Sequence, residues 1–276
     1  MFRKLVIFAI LLSTTLLFGQ SGWIVKGDFN LMINQSYYSD NWTGTEESAI
    51  DWVSRLNLSA EKPLSQLVYW NNIAELKWGQ KHVYNKVTEK WFKPTESEDQ
   101  IVLESSFDFK VSKYFDLYAS VRDETYFTNF NNELFDPNLL IESVGLSKEF
   151  IKTEKRDLTS RLGWATREMM VRGKTTIVDS GIESVTVFNE VFMKDMAKFK
   201  SELRLYEALY NSEADELYKG NDDWKSLDMQ WKNDLTIQLM KYVGLGFYFE
   251  LDYDKQVDKK TYYKETLGLS VTYNLF

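Results

Sequence analysis

The chain has 276 residues, 44% of them hydrophobic and 16% aromatic, with a formal net charge of -8 and a mean hydropathy of only -0.38. It carries no cysteine, which excludes disulfides, thiolate metal sites, a cysteine nucleophile and a lipid-anchored cysteine. The acidic balance, with no block of basic residues comparable to a nucleic-acid footprint, excludes DNA and RNA as partners.

At the amino terminus Arg3 and Lys4 precede an apolar stretch, 5–18, and then Gly19-Gln20-Ser21-Gly22. This is the pattern of a secretory signal peptide, 1–19, cleaved on export. The apolar run is shorter than the roughly 20 residues a spanning helix needs. The remainder, 20–276, shows no linker or low-complexity tract and is read as one domain.

From there to the end the chain repeats one pattern: apolar and polar residues alternate over segments of 9 residues or more, the period of a strand with two unlike faces. In Leu227-Asp228-Met229-Gln230-Trp231-Lys232-Asn233-Asp234-Leu235 nearly every odd residue is apolar and every even one polar. About twelve strands are predicted, at 22–36, 48–61, 66–79, 100–111, 114–127, 138–151, 157–171, 182–194, 197–211, 225–241, 243–255 and 261–276. The alternation is least clear at 182–193, where both parities carry apolar residues. Connections alternate between tight ones at 62–65, 112–113, 152–156, 195–196 and 242 and mostly longer polar ones at 37–47, 80–99, 128–137, 172–181, 212–224 and 256–260. Pro63, Pro94 and Pro137 fall in predicted turns or loops, where a missing donor costs no ladder bond. An even number of antiparallel strands with short turns at one end and long loops at the other predicts a single transmembrane β-barrel in the outer membrane of a Gram-negative cell, short turns facing the periplasm, with membrane lipid as its partner.

Parity assigns the faces. Leu56, Leu58, Ala60, Ile101, Leu103, Phe107, Phe109, Val111, Leu245, Phe247, Phe249, Leu251, Leu267, Leu269, Val271 and Tyr273 are expected outward, with Trp52, Trp70, Trp78, Trp164 and Trp231 forming an interfacial girdle. The opposite faces carry Arg55, Glu75, Lys77, Glu104, Asp108, Lys110, Arg122, Glu124, Arg161, Arg167, Lys200, Glu202, Arg204, Lys232, Asp234, Glu250 and Asp252. Lys or Arg on the lipid face costs about 2–4 kcal/mol near the midplane, so charges should segregate to the lumen. There they either line a polar pore or pair across a narrow lumen and fill it. The second is favoured, because a barrel of about twelve strands is narrower than the 16- to 18-stranded porins.

The carboxyl end, Val271 to Phe276, resembles the terminal aromatic signal by which barrel-insertion machinery recognises outer-membrane proteins, with Tyr273 and Phe276 as its aromatics. Phe276 has Asn274 and Thr272 on its face, so Leu275, Tyr273 and Val271 carry the apolar one. The single histidine, His82, is expected in a solvated loop with no nucleophile or carboxylate at readable spacing, which leaves general-base chemistry without a candidate. Glu213, Asp215, Glu216, Asp222 and Asp223 read as a solvated acidic loop rather than a calcium site. No cofactor or metal ligand is assigned.

Gly22-Trp23, Asn34-Gln35-Ser36, Asn41-Trp42 with Gly44, Glu98-Asp99, Gly145-Leu146 and Lys264-Glu265-Thr266-Leu267-Gly268-Leu269 together resemble an uncharacterised Bacteroidota family known as domain of unknown function 3078. The first loop of that family has a glycine pair where this chain has Gly44-Thr45. The resemblance implies an outer-membrane barrel and brings no catalytic residue. The expectation is a non-enzymatic barrel, either a narrow channel or a surface binding or structural component of unknown ligand. The alternatives are a membrane hydrolase using His82 and a soluble exported β-sandwich.

Overall fold

A computed structural model describes residues 22–37, 48–85, 88–128, 133–214, 222–256 and 259–275. Its strands are β1 (Ile24–Ser36), β2 (Ala49–Pro63), β3 (Val68–Asn85), β4 (Lys90–Trp91), β5 (Thr95–Phe109), β6 (Asp116–Thr125), β7 (Asn138–Lys152), β8 (Arg156–Met170), β9 (Ile177–Phe192), β10 (Ala197–Asn211), β11 (Asp228–Gln238), β12 (Val243–Tyr253) and β13 (Tyr262–Asn274). Each pairs antiparallel with its neighbour. β1 pairs with β13 from Asp28↔Asn274 to Ile33↔Leu269, which joins the two ends of the sheet. With the two-residue β4 set apart on the edge of β3, the other twelve strands form a closed ring.

This is the expected all-β barrel, and closure removes the sandwich alternative. Every wall strand finds a hydrogen-bonding neighbour on both sides, the condition for crossing lipid without orphaned backbone groups. Both terminal strands meet at the end of the tight turns, so that end faces the periplasm and the chain is an integral outer-membrane protein in contact with lipid.

Two rings of aromatic contacts mark the membrane boundaries on the outer wall. At the periplasmic end Trp70 lies between Trp23 and Phe107, with centroids 5.2 and 5.7 Å away, and Tyr242 meets Tyr273 at 5.9 Å. At the other end Trp52 packs edge-on against Trp78 at 5.0 Å, and Phe249 contacts both Trp231 and Tyr263. Trp70 and Trp78 stand eight residues apart on β3, which at about 3.3 Å per residue and a tilt of about 40° separates the rings by about 20 Å. Between them lie exposed aliphatics such as Leu162, Leu267 and Leu269.

Several predicted boundaries move. β3 runs to Asn85 and β5 starts at Thr95, so most of the expected loop 80–99 is strand, and His82 sits in β3 opposite Ile50 rather than in a loop. β9 starts at Ile177, and the turn expected at Tyr242 alone spans 239–242. Pro63 ends β2 rather than lying in the turn. The segregation of charge is incomplete. Glu142 shares the outward face with its register partners Val121 and Thr166, and Asp123, also outward, accepts from Asn138. A carboxylate on the lipid face costs less than Lys or Arg there.

Candidate functional site: the lumen

Strand parity delivers one side chain of each pair to the lumen, and antiparallel register fixes which residues meet there. Down the β5–β6–β8 side, Glu104 serves two guanidinium groups. Arg122 donates to its Oε2 at 3.1 Å and Arg161 to its Oε1 at 2.8 Å. Arg122 also reaches Glu124 at 2.5 Å, and Arg161 stands 3.9 Å from Asp108. Asp108 accepts from Asn71 at 2.7 Å.

Other pairs cross open space rather than following the wall. Lys200 on β10 meets Glu75 on β3 at 2.7 Å, and these strands are six places apart in either direction round the ring. Arg55 on β2 meets Asp234 on β11 at 2.7 Å, and Lys264 on β13 meets Glu98 on β5 at 3.0 Å. Side chains of this reach can meet only where the walls approach, so the barrel is drawn together along these contacts. Tyr248 lies among them, 2% exposed. Its hydroxyl donates to Glu250 at 2.7 Å and accepts from Lys77 at 3.4 Å, while the Arg55 guanidinium covers its ring at 4.2 Å. Lys232 and Lys264 approach Glu250 at 3.8 and 3.2 Å.

Nearer the extracellular mouth, Arg204 pairs with Glu183 at 2.5 Å and Glu202 at 3.5 Å. Arg167 pairs with Asp179 at 2.8 Å and Asp228 at 3.1 Å and lies 3.6 Å over the Tyr206 ring. A 3-10 turn, Asp223–Lys225, places Trp224 in a buried cluster with Ile141, Ala165, Tyr206 and Ala208. The described stretch just before β11, 222–227, thus turns inward and covers part of the mouth. Asp223 is held there by Lys255 at 2.5 Å, a contact whose hydrogen bond raises the lysine above its ordinary pKa.

Lys110 lies beyond the end of β5, exposed, with its ammonium 5.0 Å from the Tyr69 ring at the periplasmic mouth. In the stretch where alternation was unclear, Glu183 faces inward, and Val185 and Val187 share that face opposite Arg204 and Glu202. Sequence reading missed Glu183, Asp179, Asp228, Lys264, Glu98, Tyr206 and Trp224. Parity would have found Glu183, Asp228 and Lys264, whereas Glu98 and Trp224 fell in segments read as loop. Tyr273 faces outward on β13 beside Tyr242, and Phe276 lies outside the described residues, as do the leader, Asn41-Trp42, Asp215 and Glu216. His82 shares a face with Gln80 and Trp52 on the outer side. No group of three metal-ligating side chains occurs among the described residues.

The family model described as protein of unknown function (DUF3078) matches residues 33–130, which bears out the resemblance over that stretch. No curated protein matches the chain. Among solved structures, an outer membrane channel from Pseudomonas putida F1 is 10% identical, covering 92% of this chain and 95% of that one with a TM-score of 0.43. The NanC porin is 9% identical over 91% of this chain and 100% of its own, also at 0.43. The outer membrane channel DcaP of Acinetobacter baumannii is 10% identical over 93% and 98%, at 0.38. Barrel closure rests on the strand pairing described above and does not depend on these likenesses.

Proposed function

We propose that this protein is a non-enzymatic outer-membrane barrel whose lumen is held shut by ion pairs, a surface or structural component rather than an open pore. The observation that carries this reading is the Lys200–Glu75 pair, which ties together strands six apart in either direction. Arg55–Asp234 and Lys264–Glu98 add two more ties across the lumen, and Trp224 covers part of the extracellular mouth. A solute would have to break several of these contacts at once, and a buried charge stripped of its partner is costly. His82, on the outer side of β3 away from these groups, gives the hydrolase alternative no support. Export through the leader 1–19 and insertion by machinery that reads the last strand, with Tyr273 and Phe276, complete the proposal.

A gated narrow channel is the second reading. It is favoured by room in the periplasmic half, where Ile73, on the lumen face with Glu104, is 38% exposed and the Lys200 side chain 45% exposed. Proteoliposomes separate the two readings by swelling in isosmotic arabinose or glucose. The sealed barrel leaves the swelling rate at that of empty liposomes, and swelling proportional to protein content overturns it.

A further inference from the structure

Strand pairing sets a run of outward residues side by side on β5, β6, β7 and β8. Phe107 pairs with Ala119, Ala119 with Val144 and Val144 with Trp164. Two residues nearer the extracellular end, the line runs from Ser105 to Val121, Glu142 and Thr166. Phe107 belongs to the periplasmic aromatic ring on the outer wall, so these neighbours of the same parity face lipid too. Ser105 and Ala119 are short where Phe107 and Trp164 are tall. The wall is hollowed there by a cavity of about 630 Å³, which Leu140 and Val144 also line. Leu140 is only 7% exposed although it lies on the lipid side.

Glu142 brings a carboxylate into this hollow. β7 has 15 residues, which at about 3.3 Å per residue and a tilt of about 40° makes it about 38 Å tall against an apolar band of about 25 Å. Glu142 is four residues from the extracellular end of that strand at Asn138, so it lies about 10 Å below the end and just inside the band. The residue is exposed, and its side chain makes no ion pair or hydrogen bond among the described residues. Other outward carboxylates do have partners. Asp123 accepts from Asn138, and Glu190, near the periplasmic end of β9, meets Arg156 at 2.6 Å. No third metal-ligating side chain joins Asp123 and Glu142 among the described residues, so a metal ion has no cage here.

We propose that the hollow holds the acyl chain of an outer-leaflet lipid whose chain carries a hydrogen-bond donor, a hydroxyl or an amide N–H, close below its head, and that this donor bonds Glu142. The apolar walls take the hydrocarbon, and the size of the hollow suits a ligand chain. A carboxylate in hydrocarbon without a donor is costly, and an ionisable group at that depth marks a site with a partner. Depth selects the donor. The ammonium of a zwitterionic phospholipid lies out in the headgroup layer, above the apolar band, whereas a hydroxyl or amide at the top of an acyl chain enters the band at the level of Glu142. Below Glu142 the hollow continues past Val121 and Ala119 to Phe107, the course an acyl chain follows from its head towards the midplane. The proposal rests on the lipid-facing wall alone and is independent of whether the lumen is sealed.

The test titrates the full barrel in detergent with three single-chain phosphocholine amphiphiles and reads bound lipid by native mass spectrometry. One carries a tetradecanoyl ester, one a β-hydroxytetradecanoyl ester and one an amide-linked tetradecanoyl chain, which separates hydroxyl from amide as the source of the donor. Two variants accompany wild type, Glu142→Leu and Ala119→Phe, each first shown to keep heat-modifiable migration. Wild type should bind at least one donor-bearing chain about tenfold more tightly than the plain ester, the size of effect expected for a hydrogen bond to a charged group. Glu142→Leu should lose that preference and still bind the plain ester, whereas Ala119→Phe, which fills the hollow, should weaken binding of all three. Equal affinity of wild type for the three chains overturns the proposal, as does a preference that survives Glu142→Leu or binding untouched by Ala119→Phe. A wild-type dimer that Glu142→Leu dissociates overturns it too, because the occupant of the hollow is then a second copy of the chain.

Discussion

Glu104 shows what a charge inside a barrel wall depends on. Its side chain is 11% exposed, and its oxygens are divided between Arg122 and Arg161. Removing a carboxylate that neutralises buried guanidinium groups typically costs about 3–5 kcal/mol, whereas an exposed pair is worth about 0–1 kcal/mol. Glu104→Ala should therefore lower unfolding stability in urea by about 3 kcal/mol, and Glu149→Ala, which breaks the exposed pair with Lys152, by less than about 1 kcal/mol. Equal effects would mean that the lumen pairs are as solvated as the rim. Packing is equally specific at Gly163, where an added Cβ would stand 2.7 Å from the Tyr118 hydroxyl and closer still to the Val144 carbonyl. Tyr118 is 3% exposed and has nowhere to retreat, so Gly163→Ala should destabilise by about 1–3 kcal/mol through overpacking, read in the same urea titration. At this scale the sequence revealed which residues face inward but not which of them meet. Alternation specifies a face. Partners such as Lys200 and Glu75, 125 residues apart in the chain, follow from closure and from where the walls approach.

The strands were most legible where lipid constrains them. Between the two aromatic rings one face must be apolar, so the period of two is strong and the predicted strands fall close to those found, as at 197–211 for β10. Above the outer ring neither face meets hydrocarbon. Gln80-Lys81-His82 is polar on both sides, so the pattern fades while the backbone pairing continues to Asn85. The alternation therefore predicts a shorter β3 and a loop at His82. Loss of signal has a second cause at β9, where Val185 and Val187 face the lumen opposite Arg204 and Glu202 and blur the alternation. Facing itself is open to direct test. Cysteines at Leu103, Phe107, Leu245 and Phe249 should react with lipid-phase reagents, and cysteines at Glu104, Asp108, Tyr248 and Glu250 should not. Equal labelling of both sets by water-soluble reagents would contradict the membrane orientation. The mouth gives another element-scale expectation. Trp224 is 8% exposed in its cluster, and truncating a buried Trp costs about 3–5 kcal/mol. Trp224→Ala should detach the stretch 222–227, seen as faster protease cleavage near Asp223 while the barrel keeps its heat-modifiable migration. An unchanged cleavage rate would show that the covering does not depend on this ring.

For the whole molecule the apolar girdle and the charged interior are two consequences of one closure. Twelve strands make a ring wide enough to need filling, and the chain fills it with paired carboxylates and cations rather than with a core of aliphatics. Such a filling is stable only when nearly every charge has a partner, which ties sealing and stability together: what opens the lumen should also weaken the fold. Planar-bilayer conductance tests this most directly, with wild type measured beside Lys200→Ala/Arg55→Ala, which removes the cations of two ties across the lumen. The sealed barrel predicts no steady channels for wild type and, for the double variant, both ion leakage and a lower urea midpoint. Large, steady, porin-like conductance from the wild-type protein would contradict it.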